Sequence, residues 1–170
     1  VGVSFLLVVA VNRTLRQRGW FADQTEPNLL QWLDLVALGT VCDVVPLTGL
    51  NRVLVAQGLK VAAAQKNPGL AALGEIAEVN ERPSTYHLGF VFGPRLNAGG
   101  RVGGPRLGTM LLSTDDMDEA RAIAAKLNDF NTERREIEAA IQSQAVEQVE
   151  SKGDGDPPFL FLSDRRWHQG

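Results

Sequence analysis

Residues 28–47 read NLLQWLDLVALGTVCDVVPL, an almost wholly apolar stretch of the 170-residue chain. Its apolar residues recur at helical spacing on nearly all sides, a pattern typical of a helix in the interior of a fold. We expect this helix to end before Pro46. Asp34 and Asp43 are the only charged residues between positions 29 and 47. The stretch therefore predicts a buried helix whose two carboxylates need a partner.

Other segments of the first half also predict helices. The apolar run 1–11 is about half as long as a membrane span, and its arginines follow it, so we expect a buried helix that ends near Gly19. A helix is expected over about 51–65, a turn at 67–69 and a short helix through 73–77. The residues of the helix over about 51–65 that are predicted to face inward are Val53, Leu54, Leu59 and Val61.

The second half predicts one long helix and one strand. Hydroxyl and acidic residues at 113–116 are typical of a helix start, and we expect a helix over 114–152. Arg134 interrupts its apolar seam. Residues 152–158 are rich in glycine and proline and break the helix, and 159–162 read as a short buried strand. The residues that form the seam are Ile123, Leu127, Phe130, Ile137 and Ile141.

Charge and cysteine content exclude several classes of protein. The chain has 17 basic and 20 acidic residues, a net charge of −3, so its whole surface does not suit an anionic polymer or membrane. A single cysteine, Cys42, excludes an internal disulfide and a thiolate zinc module and fits a reducing compartment. Residues 82–114, however, contain no acid, four arginines and seven glycines. An anionic partner would therefore bind at this segment.

The segment 93–103, GPRLNAGGRVG, is the strongest candidate for an anion site. Glycines let backbone N–H groups approach an anion, and arginines offer paired donors that match phosphate oxygens. Asn97 adds an amide that can bond phosphate, sugar or a metal-bound water. The alternative is a glycine-rich turn whose arginines only face solvent. The spacing of a nucleoside-triphosphate loop is absent.

Asp34 and Asp43 are candidates for a different role, because an ionised carboxylate in an apolar run requires a partner. A helix cap or a salt bridge would satisfy either one. Asp43 follows the expected helix end and is the better ligand candidate, whereas Asp34 is expected to fix a neighbouring backbone or side chain. Neither alone makes a metal site, since a hard divalent ion needs several ligands.

Three motifs resemble the bacterial RecJ family of single-strand-specific DNA exonucleases. The first is DLVALGTVCDVVPL at 34–47, the second GPRLNAGGR at 93–101 and the third LNDFNTERR at 127–135. Their order and spacing also match the family. Where this chain has Cys42, the family usually has alanine.

The resemblance implies an α/β, two-lobed enzyme of the DHH phosphoesterase superfamily that is predominantly helical in this chain. Such enzymes hydrolyse single-stranded DNA from 5′ to 3′ by a two-metal mechanism with Mn²⁺ or Mg²⁺, in DNA repair and recombination. Asp43 matches the family's last metal-binding aspartate. Asp34 would help to position that site without binding the metal itself. The residues that match the family's phosphate-gripping motif are Arg95, Asn97, Gly99, Gly100 and Arg101.

The resemblance also divides the chain. Residues 1–113 would be the C-terminal part of a DHH domain, 114–152 a connecting helix and 153–170 the start of a second lobe of the DHHA1 type, with its first strand. The family's Asp-x-Asp and Asp-His-His motifs are absent, so we expect a central fragment that binds Mn²⁺ weakly and is inactive alone. Expected partners are single-stranded DNA, a single-strand-binding protein and a helicase, in the cytoplasm and without a membrane.

Two other functions stay open at this point. A phosphodiesterase for short oligonucleotides or cyclic dinucleotides would share the carboxylate cluster. A helical interaction module could instead bind an acidic partner through the segment 82–114 without catalysing a reaction.

Overall fold

The computed structural model describes residues 1–151 and 159–168, and within these ranges it contains helices and no strand. Seven α-helices follow one another, with a 3₁₀ turn before the second and a π-helical turn before the fifth. None of these helices is long and apolar enough to cross a membrane. The elements are α1 Gly2–Gln17, the 3₁₀ turn Leu29–Trp32, α2 Leu33–Cys42, α3 Gly49–Ala62, α4 Pro68–Ile76, the π-helical turn His87–Phe92, α5 Gly93–Arg101, α6 Leu107–Ser113 and α7 Met117–Glu150.

The predicted interior helix is present as α2, and it packs closely against α3. Val36, Ala37 and Leu38 are buried on it, as the apolar pattern predicts. Gly58 of α3 makes the close approach possible, because a Cβ there would lie 2.1 Å from the carbonyl oxygen of Leu33. Leu54, predicted to face inward, is buried beside this contact.

The main core lies where α4, α5 and α6 pack on the first half of α7. Asn67 begins α4: its side chain accepts a hydrogen bond from the Leu70 N–H and donates one to the Leu112 carbonyl. Residues 67–69 are therefore a helix start and not the predicted turn. The largest fully buried side chains are Leu73, Leu88, Phe92, Leu111 and Leu127.

The long predicted helix is confirmed as α7. The Asp116 carboxylate caps it by accepting hydrogen bonds from the N–H groups of Asp118 and Glu119. The apolar seam is buried through Leu127 and ends at the buried Asn131. Beyond this residue the helix leaves the core, so only the first half of the seam packs in it.

Three predictions about burial and strand structure are wrong. Helix α1 forms, but it is not buried: Val3 is 82% exposed and Leu7 65% exposed, because no described element covers that face. Val53 of α3 is 55% exposed, since it lies on the side turned away from α2. Residues 159–162 are not a buried strand, because they pair with no described strand and Phe159 and Phe161 are exposed. The predicted breaker at 152–158 lies outside the described residues.

Candidate nucleic-acid interface

The glycine-rich segment 93–101 is a helix and not a turn. The π-helical turn 87–92 runs directly into α5. Glycine is required where α5 begins, because a Cβ on Gly93 would lie 2.8 Å from Cys42 Sγ. The Cys42 thiol, whose pKa is raised mainly by burial, donates a hydrogen bond to the Leu88 carbonyl over 3.4 Å. These contacts hold the start of α5 against the C-terminal end of α2.

The half-buried Arg95 connects α5 to α7. Its Nε donates to Asn128 Oδ1 over 3.0 Å, and its Nη1 donates to the Val91 carbonyl over 2.7 Å. Burial lowers the pKa of the guanidinium, with a smaller contribution from repulsion by Arg135. Arg95 therefore fixes the position of α5 on the long helix, and its predicted contact with phosphate stays a prediction.

A cavity of about 190 Å³ lies among α2, the π-helical turn, α5 and α7. Asn97 and Arg101 line it from α5, and Arg134 lines it from α7. None of the described residues that line it is acidic. Two guanidinium groups and an amide can donate several hydrogen bonds to one phosphate group. The remaining lining residues are Cys42, Gly89, Gly93 and Pro94.

Arg134 is held in place by residues of its own helix. Its Nε donates to Asn131 Oδ1 over 3.4 Å, and its Nη1 pairs with a Glu138 carboxylate oxygen at 2.7 Å. The side chain is 26% exposed, so the packed helix restricts it while the cavity keeps it accessible. An arginine ordered in this way loses less conformational entropy when it binds an anion.

Gly99 and Gly100 lie in the last turns of α5. Helical N–H groups beyond the first turn bond to carbonyl groups four residues earlier, so the backbone N–H groups of these two glycines are used within the helix. Gly99 is buried against Leu127, whose Cδ2 would lie 2.8 Å from a Cβ at this position. Gly100 is exposed, and no described atom outside its own helix and its chain neighbours lies within 4 Å of such a Cβ. Their predicted contact with phosphate stays a prediction.

The two candidate carboxylates have different environments. Asp34 is 3% exposed and accepts a hydrogen bond from the Leu35 N–H over 2.7 Å. Burial raises the pKa of its carboxyl group, and the backbone hydrogen bonds oppose this only in part. Asp43 is exposed and follows the last residue of α2, next to the cavity-lining Cys42. Asp43 is therefore accessible to a ligand. Asp34 is buried and bonds to the backbone of its own helix.

The described residues do not by themselves fit a divalent metal ion. No group of three or more histidine, cysteine, aspartate or glutamate side chains within residues 1–151 and 159–168 could hold one. Asp43 offers one carboxylate, while Mn²⁺ and Mg²⁺ need about six ligands. No chemical step through a metal can be derived from these residues.

Arg134 is a site residue that the sequence did not reveal, because its position predicts only an interruption of the apolar seam of α7. The interruption was itself the signal, because a charged residue at a core position is costly unless the helix has left the core there. Arg134 lies one turn beyond the buried Asn131, where α7 changes from core to cavity wall.

Comparisons with known proteins identify relatives that share this segment. No protein-family model matches the chain. The chain is 45% identical over its whole length to the single-stranded-DNA-specific exonuclease RecJ of Dickeya dadantii, of which it covers 31%. A crystal structure of exonuclease RecJ bound to manganese matches with a TM-score of 0.74 and 35% identity, over 86% of this chain and 35% of that one. RecJ of Thermus thermophilus in complex with Mg²⁺ matches with a TM-score of 0.66 and 33% identity, over 76% and 20% of the two chains.

The chain thus spans about a third of the length of the curated relatives that it matches, at 31% of the Dickeya dadantii protein. The resemblance read from the three motifs extends over the whole chain in sequence and over most of it in structure. The chain belongs to the RecJ family.

Proposed function

We propose that this chain is the part of a single-stranded-DNA-specific exonuclease that grips the phosphate backbone of its substrate. The observation that carries the proposal is the cavity in which Asn97, Arg101 and Arg134 come together beside the end of α2. Its lining supplies hydrogen-bond donors for an anion, within a chain whose net charge is −3. The activity of the family's named members supports DNA as the source of that anion.

The three donors divide the work of binding by their chemistry. Each guanidinium can take two oxygens of one phosphate or bridge two phosphates. The Asn97 amide donates without charge, so it can also contact sugar oxygens. Such contacts carry no base information, and they set the register of the strand. Arg95 and Asn128 keep the two helices that carry these donors at a fixed spacing.

The proposed cofactor is a pair of Mn²⁺ or Mg²⁺ ions, supported by the ions named for related crystal structures. When bound, such ions polarise the attacked phosphate and activate a water molecule. Asp43 is the residue of this chain that would contribute a ligand, and the other ligands are not among the described residues. The phosphate grip beside Asp43 would hold the scissile bond near that centre.

The family relationship supports further assignments for the whole enzyme. Residues 1–113 are proposed as the C-terminal part of a DHH domain, α7 within 114–152 as a connector and 153–170 as the start of a DHHA1-type lobe. The substrate would be degraded from 5′ to 3′ in the cytoplasm during DNA repair and recombination. A single-strand-binding protein and a helicase are proposed partners, since both act on the same strand.

Charge reversal in the cavity tests the proposal. We expect Arg101→Glu to weaken binding of a labelled single-stranded oligonucleotide at least tenfold, with the largest loss at low salt, because a repulsive carboxylate replaces a donor. Fluorescence anisotropy measures the affinity, and competition by unlabelled cyclic dinucleotide tests the alternative substrate class. Arg52→Glu is the matched control, because it makes the same charge change at an exposed position of α3 outside the cavity. Equal affinity of the Arg101 variant and the wild type would overturn the proposal.

Nuclease assays distinguish binding of single-stranded DNA from its hydrolysis. We expect this chain with Mn²⁺ to bind a labelled single strand but to release no nucleotides, because Asp43, the proposed ligand among the described residues, cannot hold two ions alone. Gel analysis of the labelled strand measures the products. Metal-dependent release of nucleotides by the purified chain would show that its own residues complete a centre.

A further inference from the structure

The cavity that Asn97, Arg101 and Arg134 line is named the phosphate cavity below. A second cavity, of about 270 Å³, adjoins it and has a different lining. The two cavities share Arg101 and Arg134, so a molecule that lies along these guanidinium groups can occupy both. The other wall residues of the second cavity are Val102, Ile137, Glu138, Ile141 and His168. Three apolar side chains thus face a space whose edge is charged or polar.

The apolar wall is the second half of the α7 seam. Ile137 and Ile141 continue the spacing of the buried residues Ile123 and Leu127, but they lie beyond the point where α7 leaves the core. Both side chains are only partly buried. Among the described residues, the second half of the seam therefore faces this cavity.

The segment that carries His168 is bonded to the same helix. Trp167 Nε1 donates a hydrogen bond to Gln144 Oε1 of α7 over 2.9 Å. The turn before it is closed by Asp164, which accepts hydrogen bonds from the backbone and the guanidinium of Arg166. These contacts position His168 at the second cavity.

We propose that this second cavity binds a nucleobase of the same strand whose phosphate lies between Arg101 and Arg134. This inference rests on the proposed function. A base is flat and apolar on its faces and carries donors and acceptors on its edge, which matches isoleucine walls with charged groups at the rim. Arginine planes also stack on bases. The Glu138 carboxylate can accept a hydrogen bond from an exocyclic amino group, and His168 can bond to a ring nitrogen or carbonyl.

A comparison of two oligonucleotides tests this inference in the protein. One probe is a short single strand of thymidines, and the other has the same length and phosphates but abasic sites in place of the bases. We expect the wild type to bind the thymidine strand about tenfold more tightly, since contacts to a base add affinity that phosphates do not supply. Ile141→Gln should remove most of this preference while it leaves the affinity for the abasic strand unchanged. Val146→Gln is the matched control, because Val146 is an exposed apolar residue of α7 outside this cavity.

The outcomes separate this inference from the proposed function. Equal affinity of the wild type for both strands, or an undiminished preference in Ile141→Gln, would overturn the base cavity. Binding of the abasic strand that is lost in Arg101→Glu would still support the phosphate grip. Failure of the wild type to bind either strand would overturn both.

Discussion

Asp34 illustrates how a single residue can be costly and still belong to the fold. It lies in the first turn of α2 and is 3% exposed. A carboxylate near a helix N-terminus is stabilised by the helix dipole and by the Leu35 N–H, but removal from water outweighs this and raises the pKa of the carboxyl group. The ionised form is therefore less favourable in the folded state than in the unfolded chain.

The stability of Asp34→Asn should therefore depend on pH differently from that of the wild type. Because the folded-state pKa lies above the ordinary value of 3.8, the wild type keeps its full stability below that value and loses stability as the pH rises through the raised pKa. We expect the variant, whose amide can still accept from Leu35, to gain stability relative to the wild type over this range. Urea unfolding at a series of pH values measures the difference. A difference that does not change with pH would contradict the raised pKa.

At the scale of elements, two glycines with different surroundings give opposite predictions. Gly58→Ala should lower the free energy of unfolding by about 1–3 kcal/mol, because the new methyl group would overlap a backbone oxygen of α2 that cannot move freely. Gly100→Ala should raise it by about 0.5–1 kcal/mol, since no other described element lies near that position and alanine favours a helix. Chemical denaturation measures both. A stabilised Gly58 variant would contradict the close packing of α2 on α3.

The elements also show what the sequence could and could not predict. Helical spacing predicted α2 and α7, and the acidic cap at Asp116 marked where α7 begins. The glycines of 93–101 gave no helical pattern, because glycine disfavours a helix locally, yet Gly93 and Gly99 are required for α5 to pack against Cys42 and Leu127. Tertiary contact thus outweighed local propensity, and no local pattern could have indicated it.

Burial was the property that the sequence predicted least well. The run 1–11 is apolar enough for a core, yet most of α1 is exposed among the described residues. Arg101 and Arg134 line the same cavity but are 33 positions apart in the sequence. Only the packing of α5 on α7 shows that they lie together. Site residues that come together through tertiary structure have no spacing to reveal them.

At the scale of the whole molecule, the two halves of α7 have different structural roles. Its first half completes the core with α4, α5 and α6. Its second half lines the two adjoining cavities that share Arg101 and Arg134, which together form one groove. This groove carries the arginines that we propose bind phosphates and the apolar walls that we propose bind a base, and it lies beside the aspartate that follows α2. The arrangement suits one strand of a polyanion, whose phosphates and bases alternate along its length.

The salt dependence of single-strand binding by Arg134→Gln tests most directly whether α5 and α7 jointly bind phosphate. We expect the slope of log K against log salt concentration to become shallower by about 0.7, the value for one phosphate contact on a single strand. Lys126→Gln removes the same charge from an exposed position earlier on α7 and should leave the slope unchanged. A slope for Arg134→Gln equal to that of the wild type would contradict the account.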